Sequence, residues 1–149
     1  MRVAFGTDEE TALTGEVVDA LTTAGHEVLR VARGSAWPEV GRAVAGAVAE
    51  GAAERGVVCC WTGTGVSIAA NKVTGVRAAL CTDAETARGA RRWNDANVLA
   101  ISLRLTSGAV ARELLDAFLA TEVDPGEQAA VARLELSGAQ AADLLESQR

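Results

Sequence analysis

Short apolar runs alternate with helix-length amphipathic stretches along the 149 residues of the chain. The runs fall at 2–5, 27–31, 56–60, 76–80 and 97–101, lengths that suit buried strands rather than helices. Between them, apolar positions recur every three or four residues over 11–24, 39–54, 83–93 and 107–121, which predicts helices that each bury one face. A last helical stretch over 126–146 follows the turn signal Asp124-Pro125-Gly126. Its apolar positions Val131, Leu134, Ala141 and Leu145 share a face, and Gly138 on that face weakens it.

Five β-α units in succession imply a parallel sheet covered on both sides. The expected fold is a three-layer α/β/α, Rossmann-like architecture with an extra C-terminal helix. The expected organisation is one α/β domain over 1–123 and a helical extension over 124–149, which either folds back on its own body or packs on a partner subunit. Right-handed crossovers place the C-terminal ends of all strands on one edge, where ligands of such sheets bind. That edge then carries residues 6–10, 32–37, 61–67, 81–85 and 102–106. His26, the single histidine, opens the second strand on the opposite edge, so the chain offers no histidine base to its own ligand edge.

Composition narrows the function classes. Apolar residues make up 49% of the chain and charged residues 23%, which supports a packed core rather than disorder. With 14 basic against 20 acidic side chains, the net charge is −6. That balance argues against binding nucleic acid or an anionic membrane surface. Three cysteines form no secreted disulfide framework, and one histidine leaves no zinc-type spacing. No leader-like or membrane-length apolar stretch is evident, so the expected compartment is the cytoplasm.

The candidate chemistry lies after the third strand, in Cys60-Trp61-Thr62-Gly63-Thr64-Gly65-Val66-Ser67. Glycines there let successive backbone N–H groups face one point beside a helix start, a cradle for a phosphate, carboxylate or oxyanion. An ordinary tight β-to-α turn explains the same glycines. A dinucleotide fingerprint is a poor match: Ile68 stands where the third glycine belongs, and about seven helical residues precede the break at Val73-Thr74-Gly75. Cys60 ends its strand beside the loop, a setting that suits a reactive thiol, although burial in the core is the commoner fate of a cysteine at a strand end. Cys59 points to the other face and into the core. Asp8 and Glu9, after the first strand, are either site carboxylates on the same edge or acids capping the next helix.

Phe5-Gly6-Thr7-Asp8, the run from Cys60 through Ser67-Ile68-Ala69-Ala70-Asn71-Lys72, Arg77-Ala78-Ala79-Leu80-Cys81, Asn94-Asp95-Ala96-Asn97 and Arg104 occur in this order over about residues 1–123. In that pattern the chain resembles the type B ribose-5-phosphate isomerases, which group with the galactose-6-phosphate isomerase subunits. The resemblance implies an aldose–ketose isomerase, or a related epimerase, working through an enediolate without metal or organic cofactor. It implies Cys60 as the proton-transferring thiol, Thr62 as its hydroxyl partner, and the backbone of Gly63, Thr64, Gly65, Val66 and Ser67 as the anion hole. It further implies Asp8, Asn94 and Arg104 as site residues and a homodimer, able to pair into a tetramer, whose sites borrow residues from the neighbouring chain.

The chain departs from that pattern where the sugar's far end and ring opening are handled. Glu9 and Trp93 stand where the family has histidines, and its C-terminal arginines fall near Glu127 and Val131. Indole exchanges no proton at neutral pH. A phosphate about 4 Å from Glu9 or Glu127 would meet roughly 1–4 kcal/mol of repulsion per unit charge. The expected ligand is therefore not ribose 5-phosphate but a neutral or amino-bearing polyol, or a sugar bound in open-chain form, with Trp93 stacking on its apolar face and Glu9 binding hydroxyls or replacing the lost acid–base group. A non-catalytic sugar-binding or regulatory homologue is the alternative expectation.

Overall fold

The computed structural model describes residues 1–136 and 138–147. Residues 137, 148 and 149 lie outside the described part, as does the side chain of Ala141 in the expected apolar stripe. Strands β1 (Arg2–Thr7), β2 (Glu27–Arg33), β3 (Arg55–Cys60), β4 (Ala78–Leu80) and β5 (Val98–Ser102) alternate with helices α1 (Ala12–Thr23), α2 (Trp37–Ala49), α3 (Thr64–Ala70), α4 (Ala84–Asn94) and α5 (Gly108–Ala120). All strand pairs are parallel, in the order β2-β1-β3-β5-β4. The α/β/α architecture expected from the apolar periodicity is the one observed.

Each face of the sheet has its own core. Val3, Phe5, Val57, Cys59, Leu99 and Ile101 pack under α1, α4 and α5. Ala4, Val58, Cys60, Val98 and Ala100 pack under α2 and α3. This division is the period-2 alternation of buried strands. Helix α2 starts two residues before the expected boundary because Pro38 suits a first helical turn, and it ends early, before Gly51 with φ 75°.

The C-terminal stretch differs from the expected single helix. It is broken into a 3-10 turn (Pro125–Glu127), α6 (Gln128–Ala132), a second 3-10 turn (Arg133–Glu135) and α7 (Gly138–Ser147). Asp124 accepts a hydrogen bond from the Gly126 N–H at 2.8 Å, which tightens the first turn. Leu136 takes an extended backbone, ψ 140°, and ends the helical run before Gly138. The segment up to Glu135 lies on its own body: the Asp124 N–H donates to the Arg92 carbonyl at 2.8 Å, and Arg77 pairs with Glu135 at 3.3 Å.

Candidate active site

Strand order places the site. The chain leaves β1 toward β2 on one side and reaches β3 on the other, so the crevice between the C-terminal ends of β1 and β3 is the switch point of the sheet. Asp8 follows β1 there, and the Cys60 loop follows β3. The Asp8 N–H donates to the Cys59 carbonyl at 3.4 Å, stitching the two ends together.

Cys59 and Cys60 point to opposite faces, as alternation requires. Cys59 is fully buried, and burial holds its thiol far above the ordinary cysteine range. Cys60 occupies the last position of the strand and is 5% exposed. Its carbonyl accepts from Gly63 N–H at 3.2 Å and Leu103 N–H at 3.0 Å, folding the loop tightly over the strand end. Gly63 makes that turn with φ 74°. A Cβ there would strike the Leu80 side chain and approach the backbone of Ile101 and Ser102 at 3.1 Å, so glycine is required on two counts.

Hydrogen bonding sorts the loop donors. Gly63 N–H is used by Cys60, Thr64 N–H reaches Thr62 Oγ1 at 3.4 Å, and Ser67 N–H closes on the Gly63 carbonyl at 3.2 Å. The N–H groups of Gly65 and Val66 have no acceptor among the described residues. The open part of the expected anion hole is thus narrower than the five-residue run. Thr62 and its hydroxyl are exposed beside it. The end of the motif serves the fold instead. Asn71 accepts from the Ala78 N–H and donates to the Ala78 carbonyl, both at 2.8 Å, fastening α3 to β4.

Asp8 and Glu9 do not cap α1. Thr11 does, in a reciprocal capping box with Thr14. Glu9 is instead held through its backbone: Thr7 Oγ1 donates to its carbonyl at 2.7 Å. Asp8 Oδ1 is buried and unpartnered among the described residues. Burial raises the Asp8 pKa from 3.8, and the charge of Glu9 adds to the rise. A ligand hydroxyl would satisfy that oxygen. Asp83, which lies where a dinucleotide fold would place its ribose acid, caps α4 by accepting from Thr86 N–H at 2.8 Å.

Arg104 joins the loop: its N–H donates to the Trp61 carbonyl at 2.9 Å, and its guanidinium lies 6.0 Å from the centroid of the Trp61 ring. Sequence reasoning passed over Trp61 and Trp37. The Trp37 ring fills the space beside Gly65, 2.9 Å from where a Cβ would stand. Both tryptophans lie in segments that follow strands, which was the available signal.

Trp93 and Asn94 are not brought to this edge. Helix α4 begins at the ligand edge and returns to the opposite one, so its last residues lie where β3 and β5 start, near the Gly56 N–H to Asn97 carbonyl bond of 2.9 Å. From Gly56 to Cys60 the strand alone spans about 13 Å. Trp93, 55% exposed, instead lines a cleft of about 230 Å³ with Asn94, Glu127, Ala130, Val131 and Leu134. The replacements at Trp93, Glu127 and Val131 therefore form one patch.

Comparison with known proteins identifies the family. The family described as Ribose/Galactose Isomerase matches residues 3–135. Ribose-5-phosphate isomerase B of Escherichia coli is 37% identical over 130 residues, 84% of this chain and 87% of that protein. D-erythrulose-4-phosphate isomerase of Pectobacterium atrosepticum is 40% identical over 93 residues, 62% of this chain and 61% of that protein. Among solved structures, ribose-5-phosphate isomerase B of Clostridium thermocellum superposes with a TM-score of 0.84 at 36% identity, covering 91% of this chain and 95% of that one. The type B enzyme of Trypanosoma cruzi gives 0.84 at 35% identity, covering 91% and 96%.

Proposed function

The chain belongs to the ribose/galactose isomerase family, and from that premise we propose that it interconverts an aldose and a ketose, or epimerises a related sugar, through an enediolate. The thiolate of Cys60 removes the proton from the carbon next to the carbonyl. The electron pair of that C–H bond becomes the new C=C bond, and the carbonyl π pair moves onto oxygen. The sulfur then returns the proton to the former carbonyl carbon, while a hydroxyl proton passes between the two oxygens. The reaction balances without a co-reactant.

The supporting observation is that Cys60, Thr62 and the open Gly65 and Val66 N–H groups follow β3, while Asp8, whose Oδ1 has no partner among the described residues, follows the neighbouring β1 at the switch point. Fixed donors facing a developing oxyanion lower the barrier to deprotonating carbon. Thr62 supports the thiol, Asp8 accepts from a sugar hydroxyl, and Glu9 supplies the acid–base function of the missing histidines.

The site is shared across a homodimer in this reading. Trp93 and Asn94 lie on the far edge of their own chain, so a second copy brings them to Cys60, and the same patch would present Glu127 and Val131 there. Exposed Trp93 and Leu134 on that patch support the pairing. With carboxylate and valine replacing phosphate-binding arginines, ribose 5-phosphate is not the preferred substrate. Three free cysteines suit a cytoplasmic setting.

The test is isotope exchange. Candidate sugars incubated with the protein in heavy water should gain deuterium at the carbon beside the carbonyl, and Cys60→Ala should abolish the gain. Exchange that persists in Cys60→Ala, or tight binding without exchange across a broad panel, would overturn the mechanism. Efficient turnover of ribose 5-phosphate would overturn the altered preference.

A further inference from the structure

Gly89 lies in the middle of α4 and is buried. Glycine inside a helix is less favourable than alanine, so its presence there calls for a physical reason. The reason is one turn away. A Cβ at position 89 would stand 2.6 Å from Cζ3 and 2.9 Å from Cε3 of Trp93, closer than carbon atoms pack. The six-membered ring of the indole therefore rests on the backbone of α4, in the space another residue's side chain would fill. Residues four apart share a helix face, which is why these two meet. Gly46 of α2 is different, because nothing lies within 4 Å of where its Cβ would stand.

The backbone that carries Trp93 is fixed as well. Arg91 holds the Asp95 carboxylate and the Ala96 and Thr121 carbonyls, and the Asp95 N–H closes on the Arg91 carbonyl at 3.1 Å. Held at both ends, the indole is still 55% exposed, and it forms one wall of the cleft of about 230 Å³ that Asn94, Glu127 and Val131 also line. A methyl group at position 89 would push that wall off the helix. The cleft would change shape whichever way the ring turned.

We propose that Gly89 is a positioning residue, which seats the Trp93 ring on α4 and so sets the shape of the cleft for the substrate's end remote from the carbonyl. The inference rests on the shared-site reading above, in which this cleft completes the neighbouring subunit's Cys60 site. A ring already seated meets the ligand without first being ordered. Freezing one side chain at each binding event weakens affinity about two- to tenfold, and that is the effect of removing the seat. Proton transfer at Cys60 is untouched by it.

Gly89→Ala tests the seat, and Gly46→Ala controls for replacing a helical glycine. In protein labelled with 5-fluorotryptophan, Trp93→Phe identifies the Trp93 fluorine signal. Gly89→Ala should shift that signal and leave those of Trp37 and Trp61 in place, while Gly46→Ala leaves the Trp93 signal unmoved. Deuterium exchange into erythrulose, ribose and galactose, each with and without its terminal phosphate, gives the functional readout. For the sugars that exchange, Gly89→Ala should raise KM about two- to tenfold and leave kcat unchanged. In a Trp93→Ala background it should have no further effect on KM. The proposal is overturned if the Trp93 signal stays in place, if KM is unchanged for every sugar that exchanges, or if the effect persists without the indole. Absence of exchange in the unmodified protein counts against the isomerase reading, and the same variants are then compared by titrating the panel against the Trp93 fluorine signal. In that case, affinities that Gly89→Ala leaves unchanged, or no binding at all, overturn the proposal.

Discussion

Arg91, 1% exposed, donates to Asp95 Oδ1 at 2.8 Å one helical turn later, and the other oxygen of the same carboxylate takes Arg77 at 2.8 Å. Asp95 itself ends α4 in the left-handed conformation, φ 45°, which aspartate tolerates better than most residues. The Asn94-Asp95 pair thus closes the helix, neutralises a buried cation and fixes the start of β5. Asp95→Asn keeps the shape and removes the charge. Because Arg91 retains the Ala96 and Thr121 carbonyls at 2.6 and 3.2 Å, the expected loss is about 3 kcal/mol, the lower end for breaking a buried pair. Urea unfolding measures it, and a loss under about 1 kcal/mol, the range of a surface pair, would show the charge to be dispensable.

Gly63→Ala adds a methyl group at positive φ and into the Leu80 side chain. Left-handed strain and overpacking together should cost about 2–4 kcal/mol. Isomerase activity should fall further than stability does, because the loop carries Thr62 and the open N–H groups. A folded variant with unchanged kcat would contradict the placement of the site in this turn.

The three cysteines should differ in reactivity. Cys59 and Cys81 are fully buried, and burial pushes the Cys81 thiol up to about 11. Cys60 retains a small exposed surface at the strand end. Timed alkylation at pH 8 followed by peptide mass spectrometry should show Cys60 modified first, with activity lost in step. Earlier labelling of Cys81 would argue against an accessible Cys60 sulfur.

Asp8 should leave a trace in the pH dependence of stability. Its folded pKa is raised above 3.8, so the folded state holds this proton more tightly than the unfolded chain does. The contribution is present below 3.8 and is lost as pH rises through the folded value. The stability of Asp8→Asn relative to the unmodified protein should therefore increase over that window and then level off. A difference that shrinks with rising pH would reverse the assignment.

The proposed shared site makes a complementation experiment decisive. Cys60→Ala and Trp93→Ala, each impaired alone, should regain about a quarter of full activity when mixed and allowed to exchange subunits. Half of random dimers are hybrids, and each hybrid holds one intact site of two. No recovery despite demonstrated exchange would place both residues in one chain's site or remove Trp93 from it.

The strands and four of the five body helices were legible from apolar periodicity, because burial of alternating or helical faces is written locally, whereas α3, seven residues long, was marked only by the glycine loop before it. So was the division between Cys59 and Cys60, since one residue along a strand always reverses the face. Boundaries moved where a local breaker acts, as at Pro38 and Leu136. What sequence order alone did not convey was distance between segments. Trp93 follows the ligand edge by a single helix, yet that helix carries it to the other end of the sheet. Trp61 and Arg104, 43 positions apart, meet because β3 and β5 are neighbours and end in register, Cys60 beside Ser102. Sequence therefore singled out the thiol and loop on which the proposed reaction rests. Tertiary structure decided which side chains surround them, because parallel pairing brings distant strand ends together and sends each connecting helix back to the opposite edge.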